Sequence, residues 1–101
     1  MPVSCTCENR EMTAVLSGEI DHHGARAIME ELDRAVATAL PTRLTLDLSG
    51  VTFMDSSGIA VLIRAKRRMD ELGGHIRAVS IPTQPRRVLD AAGLGRIIPL
   101  E

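Results

Sequence analysis

The chain has 101 residues, a formal net charge of −1, and a composition of 45% apolar and 25% charged residues. This length fits one domain with one core, and the composition is that of a globular protein rather than a disordered one. Phe53 is the only Phe, Tyr or Trp, so there is almost no surface on which bases could stack, and no excess of basic residues to neutralise phosphates. The composition therefore excludes direct nucleic-acid binding as the expected function.

No segment is apolar over the length needed to cross a bilayer, and the N-terminus lacks the basic and then apolar pattern of a signal peptide. We therefore expect a cytoplasmic protein without a membrane partner. Cys5 and Cys7 lie two residues apart in a predicted strand, where a disulfide between them would be strained. Reduced, structural cysteines are expected rather than a metal site, because no second cysteine pair supplies further ligands.

The first elements in chain order are two strands and a helix. Residues 3–8 and 12–17 flank a polar turn and predict a hairpin, whose second strand Gly18 is expected to end. Apolar residues then recur over 25–40 at the spacing of a helix with one buried stripe. Pro41 is expected to stop this helix.

The second half of the chain repeats the alternation of strand and helix. The stretch 44–53 begins with leucines at every second position, which is typical of a strand with one buried face. A helix is predicted over about 57–72 and a strand over 75–81. A short helix over 82–92 follows, and the apolar pair at 97–98 predicts a last edge strand.

Strands that alternate with helices in this way imply parallel pairing through right-handed crossovers, while the opening hairpin adds an antiparallel pair. We therefore predict an α/β fold with a small mixed β-sheet and helices packed on it. Residues 1–101 are expected to form a single domain.

The segment Asp55-Ser56-Ser57-Gly58 follows the predicted third strand and opens the second long helix. Asp and Ser at a helix start accept hydrogen bonds from the free amides of the first turn, so capping alone accounts for them. A helix N-terminus also favours negative charge, so a phosphoserine there would leave the helix intact and alter the surface that a partner contacts. The spacing alone leaves both interpretations open.

Helical phase at about 100° per residue separates the faces of this helix. The predicted buried stripe contains Leu62, Ala65, Met69 and Leu72. A second face is predicted to be an exposed docking patch formed by Ser56, Ala60, Ile63 and Arg67. Ser57 projects toward Arg64 and Arg68, and the basic residues of 64–68 are interpreted as a solvated helix face, with contact to an acidic partner as the alternative.

A second polar element, Asp21-His22-His23, lies between the hairpin and the first helix. Adjacent histidines rarely converge on one ion, so a metal site is disfavoured. Asp21 or His23 is instead expected to cap the following helix. Near a phosphorylation site, an acidic loop would also repel the phosphate or help to present the hydroxyl.

In combination, Phe-Met-Asp-Ser-Ser-Gly at 53–58, Gly-Glu-Ile-Asp-His-His at 18–23 and Ala-Gly-Leu at 92–94 resemble the anti-sigma factor antagonists, which share the sulfate-transporter and anti-sigma-antagonist (STAS) domain. The resemblance covers nearly the whole chain. Within the family, the sequence is most similar to the sporulation branch.

The resemblance implies a switch. The unphosphorylated protein would bind an anti-sigma factor that is also a serine kinase, free the sigma factor, and be turned off by phosphorylation on Ser56 rather than Ser57. A serine phosphatase would restore it, and the protein would be neither an enzyme nor dependent on a cofactor. Asp21 and Asp55 would line the site, and Ser57 and Gly58 would start the helix. The partner-binding residues expected from the resemblance and the helical phase are Asp21, His22, Asp55, Ser57, Gly58, Ala60, Ile63 and Arg67.

Two rival functions follow from the same residues. A hydrolase could use Ser56 or Ser57 with a histidine of the 21–23 segment, but the sequence lacks Gly-x-Ser-x-Gly and is too short for the usual hydrolase sheet. A constitutive scaffold module of the same fold, without phosphorylation, remains the alternative.

Overall fold

In the computed structural model, which describes residues 2–101, strands and helices alternate after an opening hairpin. The strands are β1 (Val3–Glu8), β2 (Glu11–Ile20), β3 (Arg43–Met54) and β4 (His75–Val79). The helices are α1 (His22–Ala39), α2 (Ser56–Glu71) and α3 (Thr83–Ala91), followed by a 3₁₀ turn at Leu94–Arg96. The sheet order is β1-β2-β3-β4, with β1 antiparallel to β2 and the other pairs parallel. The predicted α/β fold with a mixed sheet is confirmed.

The turn between β1 and β2 is hydrogen-bonded to the C-terminal end of α1. Asn9 and Arg10 both have positive φ (53° and 63°), as a two-residue type I′ hairpin turn requires. The Arg10 guanidinium donates two hydrogen bonds to the Leu40 carbonyl, at 3.0 and 2.9 Å. The Arg10 carbonyl accepts the Thr42 amide at 2.8 Å. The turn therefore holds the connection from α1 to β3.

The core lies between the sheet and the helices. Both crossovers advance in the same direction across the sheet, so right-handed connections place α1 and α2 on one face. On this face Leu16, Leu46 and Leu48 are fully buried. The opposite face is polar: Arg77 of β4 donates to the Thr45 hydroxyl at 3.1 Å. The sequence alternation within the strands thus corresponds to one buried and one open side.

The second strand is longer than predicted. The prediction that Gly18 ends it is wrong, because β2 continues to Ile20. Its register against β3 shifts between Val15 and Ser17 and again between Gly18 and Glu19, and Gly18 has φ +84°. The strand therefore continues past Gly18 through two irregularities, and the extra residue at each register shift lies in β3.

The end of the chain also differs from the prediction. Ile97 and Ile98 form no edge strand; the Ile98 amide instead donates to the Leu94 carbonyl, and the Ile98 side chain is buried. Leu100 makes an isolated parallel bridge to Ala78 of β4. Ile98 therefore fills the core from a turn while Ile97 is exposed, and residue type alone does not distinguish such a turn from a short strand.

Candidate functional site

Two aspartates meet where β2 and β3 end. The last residues of these parallel strands, Ile20 and Met54, are register partners, so the residues that follow them, Asp21 and Asp55, lie at the same edge of the sheet. The Asp55 amide donates to the Ile20 carbonyl at 3.3 Å. The carboxyl edge of parallel strands is where open α/β sheets carry their binding sites. The structure thus brings together the two aspartates that the sequence places 34 positions apart.

Each aspartate caps the helix that follows it. An Asp21 carboxylate oxygen accepts the Gly24 amide at 2.8 Å, and an Asp55 oxygen accepts the Ser57 amide at 2.7 Å. Both residues have extended backbone, as N-caps require. The hydrogen bond from Gly24 lowers the pKa of Asp21, and the nearby His23 adds to this effect. The expectation that Asp21 or His23 caps α1 is therefore confirmed for Asp21.

The two serines of the segment have different environments. Ser56 is the first residue of α2 and is exposed, whereas Ser57 is half-buried. Because Asp55 supplies the cap, the Ser56 hydroxyl is not needed for it, and it makes no hydrogen bond within residues 2–101. The Ser57 amide is held by the cap. The capping interpretation therefore applies to Asp55 and leaves the Ser56 hydroxyl available to solvent.

Met54 is a contact point that sequence reasoning missed. A Cβ on residue 58 would overlap the Met54 side chain, so Gly58 allows the first turn of α2 to lie against the end of β3. Gln84 of α3 binds the Met54 backbone: its Oε1 accepts the Met54 amide at 2.8 Å and its Nε2 donates to the Met54 carbonyl at 2.7 Å. The two residues are 30 positions apart, and no local sequence signal identifies the pair.

A groove between α1 and α2 opens beside the capped helix starts. It measures about 400 Å³. Three of the predicted partner-binding residues, His22, Ser57 and Ala60, line it together with Arg26 and Arg64. Ser57, which lines the groove, follows Ser56 directly in the chain, so the groove lies beside the segment that carries the exposed hydroxyl.

The predicted docking patch on α2 is only partly exposed. Ser56, Ala60 and Arg67 are exposed, but Ile63 is half-buried and packs against the core. Gly58 is buried as well. Helical phase describes α2 in isolation, whereas α3 also packs against this helix. The prediction of an exposed Ile63 is therefore wrong.

The predicted buried stripe of α2 is correct except at its end. Leu62, Ala65 and Met69 are buried, but Leu72 is 41% exposed. Leu72 is the C-cap residue, beyond the last full turn of α2. Helical phase does not extend to a residue that has left the helix, so the prediction of a buried Leu72 is wrong.

The basic residues of α2 are mostly engaged within the fold. Arg64 and Arg68 both pair with Asp33 of α1, at 2.6 and 3.3 Å, and Lys66 pairs with Asp70 at 2.7 Å. Burial alone would raise the pKa of Asp33, but hydrogen bonds from the two arginines outweigh it and lower that pKa. Across residues 2–101, Arg67 is the member of the cluster that has no ion pair.

The remaining reactive side chains do not gather into a site. Cys5 is half-buried and Cys7 exposed, both as free thiols; burial, with a contribution from Glu31, raises the pKa of Cys5. Among the described residues, no three His, Cys, Asp or Glu side chains are placed to hold a metal ion. In the same part of the chain, no helix is long and apolar enough to span a membrane.

The structure is a small α/β domain with a four-stranded mixed sheet. Two helices capped by aspartates begin at the carboxyl edge of its parallel strands. The family model of the STAS domain matches residues 6–101. The chain therefore belongs to the STAS domain family.

Curated relatives share most of the chain. The anti-sigma F factor antagonist of Paenibacillus polymyxa is 32% identical over 85 residues, which cover 84% of this chain and 73% of that protein. The corresponding protein of Lysinibacillus sphaericus is 30% identical over 80 residues, covering 79% and 68%. The resemblance to the anti-sigma factor antagonists is thus confirmed, and that family consists of regulatory proteins rather than enzymes.

Solved structures show the same fold. An anti-sigma factor antagonist from Mycobacterium paratuberculosis superposes with a TM-score of 0.86 at 28% identity, covering 97% of this chain and 82% of that one. SpoIIAA in its unphosphorylated form gives a TM-score of 0.82 at 24% identity, covering 98% and 87%.

Proposed function

We propose that this chain is a cytoplasmic anti-sigma factor antagonist that works as a phosphorylation switch. Its unphosphorylated form binds an anti-sigma factor serine kinase and so releases the sigma factor, and phosphate on Ser56 ends that binding. The observation that carries the proposal is the exposed Ser56 hydroxyl at the first position of α2, beside an aspartate that already provides the cap.

The position of Ser56 suits a switch that acts on a partner rather than on the fold. A phosphate adds a charge of about −1.5 to −2, which the N-terminus of a helix tolerates well. Asp21 and Asp55 both lie at this edge of the sheet, and their carboxylates would repel the phosphate toward solvent. Phosphorylation would therefore leave α2 folded and place new negative charge on the outer surface.

The groove between α1 and α2 supports the proposed docking surface. His22, Ser57 and Ala60 line it, and Arg67 is exposed farther along α2. We assign the kinase contact to this groove and the capped loop, while Gly58 contributes through the Met54 contact rather than by touching a partner. A serine phosphatase would act on the same exposed residue.

The deciding experiment is phosphorylation in vitro. The chain is incubated with ATP and each anti-sigma factor serine kinase encoded in the genome from which it comes, and the phosphate is located by mass spectrometry. We expect one phosphate, on Ser56; Ser56→Ala should abolish it and Ser57→Ala should retain it. Phosphate on Ser57 would contradict the site, and binding without any phosphate transfer would make the chain a constitutive interaction module.

A further inference from the structure

We infer that Gln84 is a positioning residue for the phosphorylation of Ser56. Its side-chain amide holds the backbone of Met54, two residues before the serine, and thereby fixes the segment that offers the hydroxyl to the kinase. This inference rests on the function proposed above and adds a regulatory role for α3.

The backbone groups at the end of β3 that point toward the β4 side have no neighbouring strand to bind. Strand β4 pairs with β3 only from Arg43 to Asp47, whereas β3 continues to Met54. In a strand, the amide and carbonyl of one residue point to the same side, and those of the next residue point to the other. The Asp55 amide points to β2, so the amide and the carbonyl of Met54 point to the opposite side of β3. On that side β4 has already ended.

Gln84 occupies the place of the missing strand at this point. Its amide accepts from Met54 and donates to it, at 2.8 and 2.7 Å, in a partly buried setting. On the other side, the Asp55 amide donates to Ile20 of β2 at 3.3 Å. The two residues that precede Ser56 are thus held from opposite sides, one by α3 and one by β2.

The side chain of Gln84 is directed to β3 rather than used in its own helix. Helix α3 begins at Thr83 after Pro82, and no side chain caps it. Both polar atoms of the Gln84 side-chain amide bind Met54 and none binds a group of α3. Only a side chain with one donor and one acceptor satisfies both backbone groups at once, so glutamate would meet just one of them.

Gln84 lies outside the docking groove, which residues of α1 and α2 line. Loss of the Gln84 contact should therefore leave kinase binding nearly unchanged and slow the transfer step, because the Ser56 hydroxyl would sample more positions. This separates a positioning role from a contact with the kinase.

The test compares wild type with Gln84→Leu, which removes both hydrogen bonds at similar size, and with Thr83→Ala as a control on the neighbouring exposed position. Hydrogen exchange of the Met54 and Asp55 amides, measured by NMR, needs no kinase. Kinase kinetics with ATP then give kcat and KM. We expect faster exchange of both amides and a kcat lower by about tenfold, with KM within about twofold of wild type; Thr83→Ala should match wild type.

Unchanged exchange and unchanged kcat in a folded Gln84→Leu variant would overturn the inference, and a raised KM with normal kcat would reassign Gln84 to kinase binding. If Gln84→Leu does not fold, Gln84→Glu replaces it: glutamate keeps the acceptor for the Met54 amide but cannot donate to the Met54 carbonyl. The readout for this variant is kcat, and a wild-type kcat would count against the role. If wild type receives no phosphate from any kinase, the proposed function fails, whereas the exchange result still shows whether Gln84 orders this segment.

Discussion

At the residue scale, Asp55 and Ser56 have separate roles in the site. The aspartate takes the Ser57 amide and caps α2, so the serine hydroxyl has no structural task within the described chain. Most serines at helix starts serve as caps, and their hydroxyl is then bound to an amide of the first turn. The arrangement here allows Ser56 to change charge while the fold stays the same.

We expect Ser56→Asp to weaken binding to the anti-sigma kinase by about tenfold or more, because negative charge then enters the docking surface. The measurement is isothermal titration calorimetry. The melting temperature should not fall, since an acidic residue in the first turn of a helix is favourable. Ser4→Asp, at an exposed position of β1, is the matched control and should bind as wild type does; equal affinity for Ser56→Asp would refute exclusion by charge.

Gly58 is the second residue whose identity the site requires. A methyl group there would overlap Met54, and forcing extra volume into a packed contact typically costs about 1–3 kcal/mol. We expect Gly58→Ala to lower the free energy of unfolding by that amount, as measured by urea denaturation. Arg67→Ala, exposed on the same helix, should change it by less than about 0.5 kcal/mol.

At the scale of elements, the ends of α1 and α2 differ although both carry an exposed leucine as C-cap. Leu40 is 48% exposed and Leu72 41%. Leu40 has left-handed backbone with φ 47°, whereas Leu72 is right-handed with φ −87°. A left-handed conformation is strained for leucine but not for glycine. The contacts from Arg10 to the Leu40 carbonyl stabilise the strained cap.

This difference predicts opposite effects of one substitution. Leu40→Gly should raise the free energy of unfolding by up to about 1 kcal/mol, since relief of backbone strain exceeds the loss of a half-exposed side chain. Leu72→Gly should lower it, because no strain is relieved there. Urea denaturation of both variants under the same conditions provides the measurement, and a loss of stability in both would show that packing of Leu40 outweighs its strain.

At the scale of the whole molecule, Asp33 joins the two helices that flank the groove. It receives Arg64 and Arg68 from α2, and these hydrogen bonds lower its pKa although burial alone would raise it. The ion pairs are largely exposed, so salt should screen them. They link α1 to α2 through Arg64, which also lines the groove.

The direction of the Asp33 pKa shift predicts a dependence of stability on pH. A carboxyl group whose folded pKa lies below its unfolded value of about 4 stabilises the protein above that value and loses this effect as pH falls through the folded pKa. Asp33→Asn should therefore be less stable than wild type at pH 7 and approach it near pH 2 in urea denaturation. Asp90→Asn, on exposed α3 surface, controls for removing one carboxylate; an unchanged gap at both pH values would contradict the assignment.

Much of the fold was predictable because the relevant physics is local. Alternating leucines in β3, the apolar stripe of α1, and Asp21 and Asp55 as helix caps depend on neighbours within a few positions. The mixed sheet followed from the order of these elements and the handedness of crossovers. The segment around Ser56 was identifiable on the same grounds, with the family resemblance supplying its role.

The sequence alone thus determined which elements form, their order, and the polar segments that open α1 and α2, because periodicity and capping act over one or two helical turns. Only the tertiary structure decided that Asp21 lies next to Asp55, that Ile63 is covered, that Ile98 fills the core from a turn, and that Gln84 holds Met54. Each of these depends on groups far apart in the chain. Their contacts arise when elements pack together, and no pattern within a single element encodes them.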